Sequence, residues 1–237
     1  MTTCLLAGMV FLAAGFVQGL TGFGSALVAI PLLSLFMDVK RAVPLCILNG
    51  LAITTYLAIQ LRRDLDPARI RPLLLGALPG ILVGATMLKT MDSTFIRCGI
   101  GLLLVSYSLY SLFFHPGPLY PGRGWAWLAG FLTGAIGAAF SAGGPPAIIY
   151  TTLSGWRKNE IKATLTGLFA INSGLIAVVH ALTGVTTRAT VAEFGLTLPF
   201  VLAGTALGSL VTARIDRTTY IRVIHILLTI MGLMLLA

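Results

Sequence analysis

The sequence predicts an all-α polytopic membrane protein made of two inverted repeats, each a broken, re-entrant helical hairpin followed by three transmembrane helices. Three observations support this prediction. The 237 residues are 57% hydrophobic and only 10% charged, whereas soluble domains are about 45–50% apolar and about 25% charged. Short basic segments separate the apolar runs, as in the loops of multi-spanning proteins. The second half of the chain also repeats motifs of the first half.

The charge balance fits a membrane protein better than a nucleic-acid-binding protein. The chain has 16 Lys and Arg against 7 Asp and Glu, a net charge of +9, which in a soluble domain would indicate nucleic acid. Nearly all of these basic residues lie between apolar runs. We therefore expect a lipid bilayer around the chain, no nucleic-acid partner and no catalytic domain outside the membrane. Cys4, Cys46 and Cys98 lie far apart in apolar sequence and are expected to be packing residues.

The lengths of the apolar runs distinguish full spans from shorter segments. A helix that crosses about 30 Å of hydrocarbon needs about 20 residues, so the segments 24–37 and 145–154 are short. Each follows a glycine-rich break, Gly22-Phe23-Gly24-Ser25 in the first half and Ser141-Ala142-Gly143-Gly144-Pro145-Pro146 in the second. Such a break predicts a hairpin with an unwound tip inside the membrane. Candidate segments lie near residues 3–19, 24–37, 42–60, 72–88, 95–114, 125–140, 145–154, 161–182, 191–212 and 220–237.

An internal repeat divides the chain into a first copy, 1–115, and a second copy, 116–237. The motif Gly15-Phe16-Val17-Gln18-Gly19-Leu20-Thr21-Gly22 aligns with Gly130-Phe131-Leu132-Thr133-Gly134-Ala135-Ile136-Gly137, and Pro31 and Pro146 keep the same offset. A hairpin adds two crossings or none, and three spans add three, so each copy crosses an odd number of times. The second copy must then be inverted relative to the first.

The same parity predicts the orientation, because cytoplasmic loops carry more Lys and Arg. Loops 61–71, 115–124, 155–160 and 213–219 are expected in the cytoplasm, and both termini outside. The alternative makes each hairpin one long kinked helix and the two copies parallel, and it divides the charges less unevenly. In the inverted arrangement one side holds Lys40, Arg41, Lys89, Arg97 and Arg188, and the other holds Arg62, Arg63, Arg69, Arg71, Arg123, Arg157, Lys158, Lys162, Arg214, Arg217 and Arg222.

The two breaks are candidate binding sites for an anion. The first N–H groups of a half-helix lack partners and carry about half a positive charge at its N-terminus. Pro145 suits the first helical position, and Ser25 is placed to cap residues 26–37. Glycines at the breaks would let the backbone approach a ligand. The alternative is that these glycines pack helices together, which we expect of the pairs Gly15/Gly19, Gly80/Gly84, Gly130/Gly134 and Gly204/Gly208.

Polar residues within spans extend this site. Asn49 and Asn172 each lie near the middle of the first full span of their copy, so the pair could meet and donate amide N–H groups to an oxyanion; interhelical hydrogen bonding is the alternative. Glu193 is the candidate for proton coupling, although snorkelling would also explain it, as it would Arg97, Arg222, His225 and His180. The predicted substrate-binding residues are Gln18, Thr21, Gly22, Gly24, Ser25, Asn49, Ser141, Gly143, Gly144, Pro145 and Asn172.

These motifs resemble the sulfite exporter TauE/SafE family of membrane permeases. The similar features are Gly15-Phe16-Val17-Gln18-Gly19-x2-Gly22-Phe23-Gly24, the Gly-x3-Gly followed by Gly143-Gly144-Pro145-Pro146, and the two-copy organisation. The first copy lacks the Gly-Gly-Pro-Pro tract. The resemblance covers essentially the whole chain and implies transport of small sulfur-containing or carboxylated anions such as sulfite, sulfonates or sulfoacetate.

The function that follows is a secondary transporter of such anions in the inner or plasma membrane, with no cofactor, no metal and no catalytic residues. A homo-oligomer is compatible with this interpretation. The alternatives are a passive anion or small-solute channel of the aquaporin kind, although the Asn-Pro-Ala signature is absent, and an intramembrane lipid-modifying enzyme. No Walker loop, Ser-His-Asp set or metal-ligand spacing supports enzymatic or nucleotide-driven chemistry.

Overall fold

The computed structural model describes residues 2–114, 119–211, 229, 232–233 and 236, and within these it is all-helical. The predicted loop 213–219 lies outside the described residues, as do 115–118 and most of the last predicted span, 220–237. The described helices are α1 (Thr2–Thr21), α2 (Ser25–Ser34), α3 (Val39–Gln60), α4 (Pro67–Thr90), α5 (Ser93–Phe113), α6 (Arg123–Phe140), α7 (Gly144–Leu153), α8 (Lys158–Leu182) and α9 (Arg188–Val211).

Helix length and composition confirm the prediction of a polytopic all-α membrane protein. Among the described residues, five helices, α3, α4, α5, α8 and α9, are long and apolar enough to cross a membrane. Helix α2 has 10 residues and α7 has 10, which is about half the length that a crossing needs. The short segments of the sequence are therefore short helices in the structure.

Side-chain caps mark where several of the long helices begin. Asp38 accepts a hydrogen bond from the Lys40 N–H at 2.8 Å, and Asp66 accepts one from the Ala68 N–H at 2.9 Å. Such caps satisfy N–H groups that have no partner within the helix. The caps therefore fix where α3 and α4 start, next to the polar ends of the bundle.

Glycines hold α1 against α9 at backbone contact. A Cβ at Gly15 or Gly19 would collide with backbone atoms of α9, and one at Gly204 or Gly208 would collide with backbone atoms of α1. Only glycine permits such an approach, as small residues do in other membrane helix pairs. The packing interpretation of these two glycine pairs is confirmed.

The α4–α6 interface repeats this arrangement. A Cβ at Gly80 or Gly84 would collide with the backbone of α6, and one at Gly130 or Gly134 would collide with that of α4. The first helix of each copy thus packs on the fourth helix of the other copy. Helices α3 and α8, the third of each copy, pack against each other. Corresponding helices of the two predicted copies therefore make corresponding contacts.

Two ion pairs tie helix starts together at opposite ends of the bundle. Arg41 near the start of α3 pairs with Glu193 near the start of α9. Arg69 near the start of α4 pairs with Glu160 near the start of α8, at 2.9 Å. Since α4 follows directly after the end of α3, the second pair lies at the end where α3 finishes. Helices α3 and α8 therefore run in opposite directions.

The second broken segment folds as a hairpin. The N–H groups of Leu119 and Tyr120, just before α6, donate to the Leu153 carbonyl at the end of α7, at 2.9 and 3.1 Å. The start of α6 and the end of α7 thus lie together. A single kinked helix, the alternative from the sequence, would separate these residues by the length of both helices.

Candidate substrate site

A cavity of about 70 Å³ lies between the two helix breaks. One water needs about 10–15 Å³ of such space, so the cavity has room for a compact ligand but not for a nucleotide. Both hairpins and the central helices α3 and α8 contribute to it. The lining residues are Gln18, Phe23, Gly24, Ser25, Ala26, Leu27, Cys46, Ile47, Gly50, Thr54, Gly137, Ser141, Ala142, Gly143, Gly144, Phe169, Asn172, Ser173 and Ile176.

The first break, residues 22–24, depends on two left-handed glycines. Gly22 has φ 88° and Gly24 has φ 95°, a conformation that strains other residues. The Thr21 hydroxyl lies 2.8 Å from the Val17 carbonyl oxygen and 2.6 Å from that of Phe23. Thr21 and Gly22 do not line the cavity, so they shape the turn rather than contact a ligand there.

The aliphatic part of Lys162 covers this turn. Its Cγ and Cε lie 3.5 Å from the position that a Cβ would take at Gly22. The sequence places Lys162 among the loop cations, whereas the structure brings its side chain to the first break. A positive side chain therefore lies near one end of the cavity without lining it.

The start of α2 differs from the sequence prediction. Ser25 does not cap the helix, because Gly24 is the N-cap residue and Ser25 is the first helical residue. The Ser25 N–H instead donates to Gln18 Oε1 on α1, at 3.3 Å. Among the described residues, the N–H groups of Ala26 and Leu27 have no hydrogen-bond partner. Break 1, as we call residues 22–24, therefore presents backbone donors beside the cavity.

The second break, residues 141–143, has a different construction, and we call it break 2. Ser141 adopts φ 56° at the end of α6, a left-handed conformation that is uncommon for a residue other than glycine. Pro145 is the second residue of α7, one position later than predicted because the helix begins at Gly144, and it does not line the cavity. Pro145 and Pro146 have no N–H to donate. Helix α7 therefore offers fewer backbone donors than α2.

The two glycines at the start of α7 have unlike surroundings. A Cβ at Gly143 would collide with the Thr133 carbonyl oxygen and lie 2.9 Å from the Gly137 Cα, whereas one at Gly144 would meet only the Ile148 Cδ1, at 3.4 Å. Both glycines line the cavity. Gly143 thus also serves close packing of α6 against α7, and Gly144 has free space in front of it.

The two predicted asparagines do not meet. Asn172 lines the cavity, and within the described part of the chain its buried Oδ1 has no hydrogen-bond partner. Asn49 is buried away from the cavity, where its amide donates to Thr197 Oγ1 and to the Leu45 carbonyl, both at 3.0 Å. The interhelical alternative therefore holds for Asn49, because the α9 hydroxyl turns its side chain outward from the cavity.

Two ionisable residues have surroundings that differ from the sequence expectation. Glu193 is not a lone carboxylate, since it pairs with Arg41 at one end of the bundle. His180 does not snorkel: it is fully buried, with its Nε2 3.0 Å from the Ala138 carbonyl oxygen. Both residues are outside the cavity lining.

The structure adds lining residues that the sequence prediction missed. Cys46, predicted as a packing residue, lines the cavity, as do Thr54 and Ser173. On α8 the lining residues Phe169, Asn172, Ser173 and Ile176 follow the three- and four-residue spacing of one helix face. Because most residues around this face are apolar as well, the spacing of its residues in the sequence does not distinguish it from the other faces of α8.

Spanning helices, two broken hairpins and a small cavity between them define a polytopic helical membrane protein with a central site. Comparison with known protein families identifies the family of the chain. The sulfite exporter TauE/SafE family model matches residues 7–235, and the chain therefore belongs to this family of membrane transporters. Neither the curated proteins nor the solved structures include a significant match to it.

Proposed function

We propose that this protein is a secondary transporter of small sulfur-containing or carboxylate anions, which bind in the cavity between break 1 and break 2. The single observation that carries the proposal is the position of this cavity, where one half-helix from each half of the chain begins. Helix N-termini favour anions because of their free N–H groups and their dipole. Membership of the sulfite exporter family supports the same class of ligand.

The lining chemistry supports a compact anion of low charge. Among the described lining residues, the polar side chains are amides and hydroxyls, from Gln18, Ser25, Thr54, Ser141, Asn172 and Ser173. Two helix dipoles worth about half a charge each offset about one negative charge, which suits a compact anion of one or two charges and not a polyphosphate. We expect sulfite, methanesulfonate, sulfoacetate and acetate to be candidate ligands and ATP to be excluded.

A transport assay tests this function directly. Purified protein in proteoliposomes should show saturable, gradient-coupled flux of at least one of these anions, and the same anion should raise the melting temperature in detergent. Flux that does not saturate would favour the passive channel instead. Stabilisation by ATP and by none of the small anions would contradict the proposal.

Cys46 offers a second test, of the site itself. In a variant with Cys4→Ser and Cys98→Ser, methyl methanethiosulfonate should modify Cys46 slowly, and sulfoacetate at ten times its Kd should slow this reaction about tenfold by occupying the cavity. Sulfite is unsuitable here because it consumes the reagent. Equal rates with and without every anion that is transported would remove the cavity as the binding site.

We also propose that residues 1–115 and 116–237 are inverted copies with both termini outside. The opposite directions of α3 and α8, the matched helix pairs and the two ion pairs at opposite ends support inversion. Introduced cysteines in loop 61–71 should resist an impermeant thiol reagent in intact cells, whereas cysteines in 89–94 and 183–190 should react. Reaction in 89–94 but not in 183–190 would exclude inversion.

A further inference from the structure

Gln18 lies one helical turn before break 1, and its side chain connects that break to the cavity. Only 4% of the residue is exposed. Its Oε1 accepts a hydrogen bond from the Ser25 N–H at 3.3 Å, and the side chain also lines the cavity. Gln18 therefore contacts the start of α2 with one end of its carboxamide.

The Ser25 contact fixes which end of the carboxamide faces the helix. A backbone N–H can only donate, so the oxygen of Gln18 must face Ser25, and the reversed amide would oppose two donors. The NH2 group then lies on the other side of the planar amide. Within the described residues it has no hydrogen-bond partner. Gln18 thus keeps two N–H donors for the cavity.

The second copy has no counterpart to this side chain. Thr133 occupies the position of Gln18 in the repeat, and it is fully buried outside the cavity lining. Within the described residues the N–H groups of Ala26 and Leu27, in the first turn of α2, have no partner, whereas two prolines without an N–H occupy the first turn of α7. Gln18 therefore adds its donors to the helix whose first turn carries more backbone N–H groups.

We propose that Gln18 determines the charge selectivity of the site. Its oxygen holds the start of α2 in place, and its NH2 group donates to the bound anion. A cation, or a ligand without a hydrogen-bond acceptor, makes no favourable contact with these N–H groups. The proposal rests on the proposed transport of anions and assigns a specific residue to the recognition of their charge.

The decisive variant is Gln18→Glu. Glutamate keeps an oxygen for the Ser25 N–H, so the start of α2 remains held, but it replaces the donating NH2 by an oxygen that repels an anion. At pH 8 we expect a lower melting temperature, because a buried carboxylate is costly, and, per folded molecule, a Kd for its best anion raised about tenfold or more. Asn49→Asp is the matched control, since it makes the same amide-to-acid change outside the cavity and should leave the Kd unchanged per folded molecule.

A second variant, Gln18→Met, tests the role of Gln18 if Gln18→Glu does not fold. Gln18→Met preserves volume but can neither accept nor donate, so it should also weaken anion binding about tenfold. An unchanged Kd in whichever variant folds would overturn the role of Gln18 while leaving anion transport intact. Absence of any anion-dependent stabilisation in the unmodified protein would instead refute the proposed function, and the Gln18 proposal with it.

Discussion

The two helix breaks face the same cavity with different chemistry. Break 1 turns through two left-handed glycines, and within the described residues N–H groups at the start of α2 have no partners. Break 2 turns through Ser141, and the first turn of α7 contains two prolines. Corresponding positions of the two predicted copies thus supply different groups. The first turn of α2 has more backbone N–H groups than that of α7, and the side chains of Ser141 and Asn172 line the cavity as well.

The largest effect is expected from adding one methyl group at either of two neighbouring glycines, Gly143 in break 2 and Gly144 at the start of α7. Gly143→Ala collides with backbone, so it should lower the free energy of unfolding by about 1–3 kcal/mol or more. Gly144→Ala meets only a flexible side-chain end, so its stability should remain close to that of the unmodified protein while its KM for the anion rises. Thermal unfolding and proteoliposome flux measure the two effects, and equal instability of both variants would contradict the difference in space.

Substitution of Asn172 should affect anion binding and not stability, whereas substitution of Asn49 should affect stability and not binding. Asn172→Leu removes an amide that has no hydrogen-bond partner among the described residues, so folding should be unaffected while the Kd for the anion rises about tenfold. Asn49→Leu removes the hydrogen bond between Asn49 and Thr197 and leaves the Thr197 hydroxyl only the Phe194 carbonyl, which should cost about 1–2 kcal/mol of stability, with the Kd unchanged. Ligand-induced melting shifts separate these outcomes. Weaker anion binding in the Asn49 variant alone would contradict the placement of Asn172, rather than Asn49, in the binding site.

Ser141→Gly separates backbone strain from ligand contact at break 2. Glycine relieves the left-handed conformation at φ 56°, which should stabilise the fold by about 0.5–1 kcal/mol. Loss of the hydroxyl should weaken anion binding by about 0.5–1.5 kcal/mol. Opposite signs in unfolding and binding measurements are the expected result, and an unchanged affinity would remove Ser141 from the binding residues.

The smallest effect is expected at the end of the bundle, where Glu193 pairs with Arg41. The arginine side chain is 54% exposed, and pairs of this kind contribute about 0–1 kcal/mol. Glu193→Gln should therefore change stability slightly and leave the pH dependence of transport unaltered. Loss of the pH dependence of transport in this variant would support Glu193 as the proton-coupling residue.

The amino-acid sequence alone was sufficient to predict the membrane class, the spans that fall within the described residues, the two short segments and the packing role of the paired glycines. These features depend on local composition, run length and spacing along one helix, which are all visible in the chain. The glycine breaks were also predictable, because a ten-residue apolar run cannot cross a bilayer.

Which of several similar residues face the cavity depends on tertiary packing and is not visible in the sequence. Asn49 and Asn172 look alike in sequence, yet a threonine on α9 engages one and leaves the other beside the cavity. Gly143 and Gly144 are neighbours, yet only one of them touches the α6 backbone. Gln18, likewise, is oriented by an N–H seven residues further on. In helices that are apolar on every side, periodicity does not indicate the inward face, so distant packing partners decide which polar groups remain for a ligand.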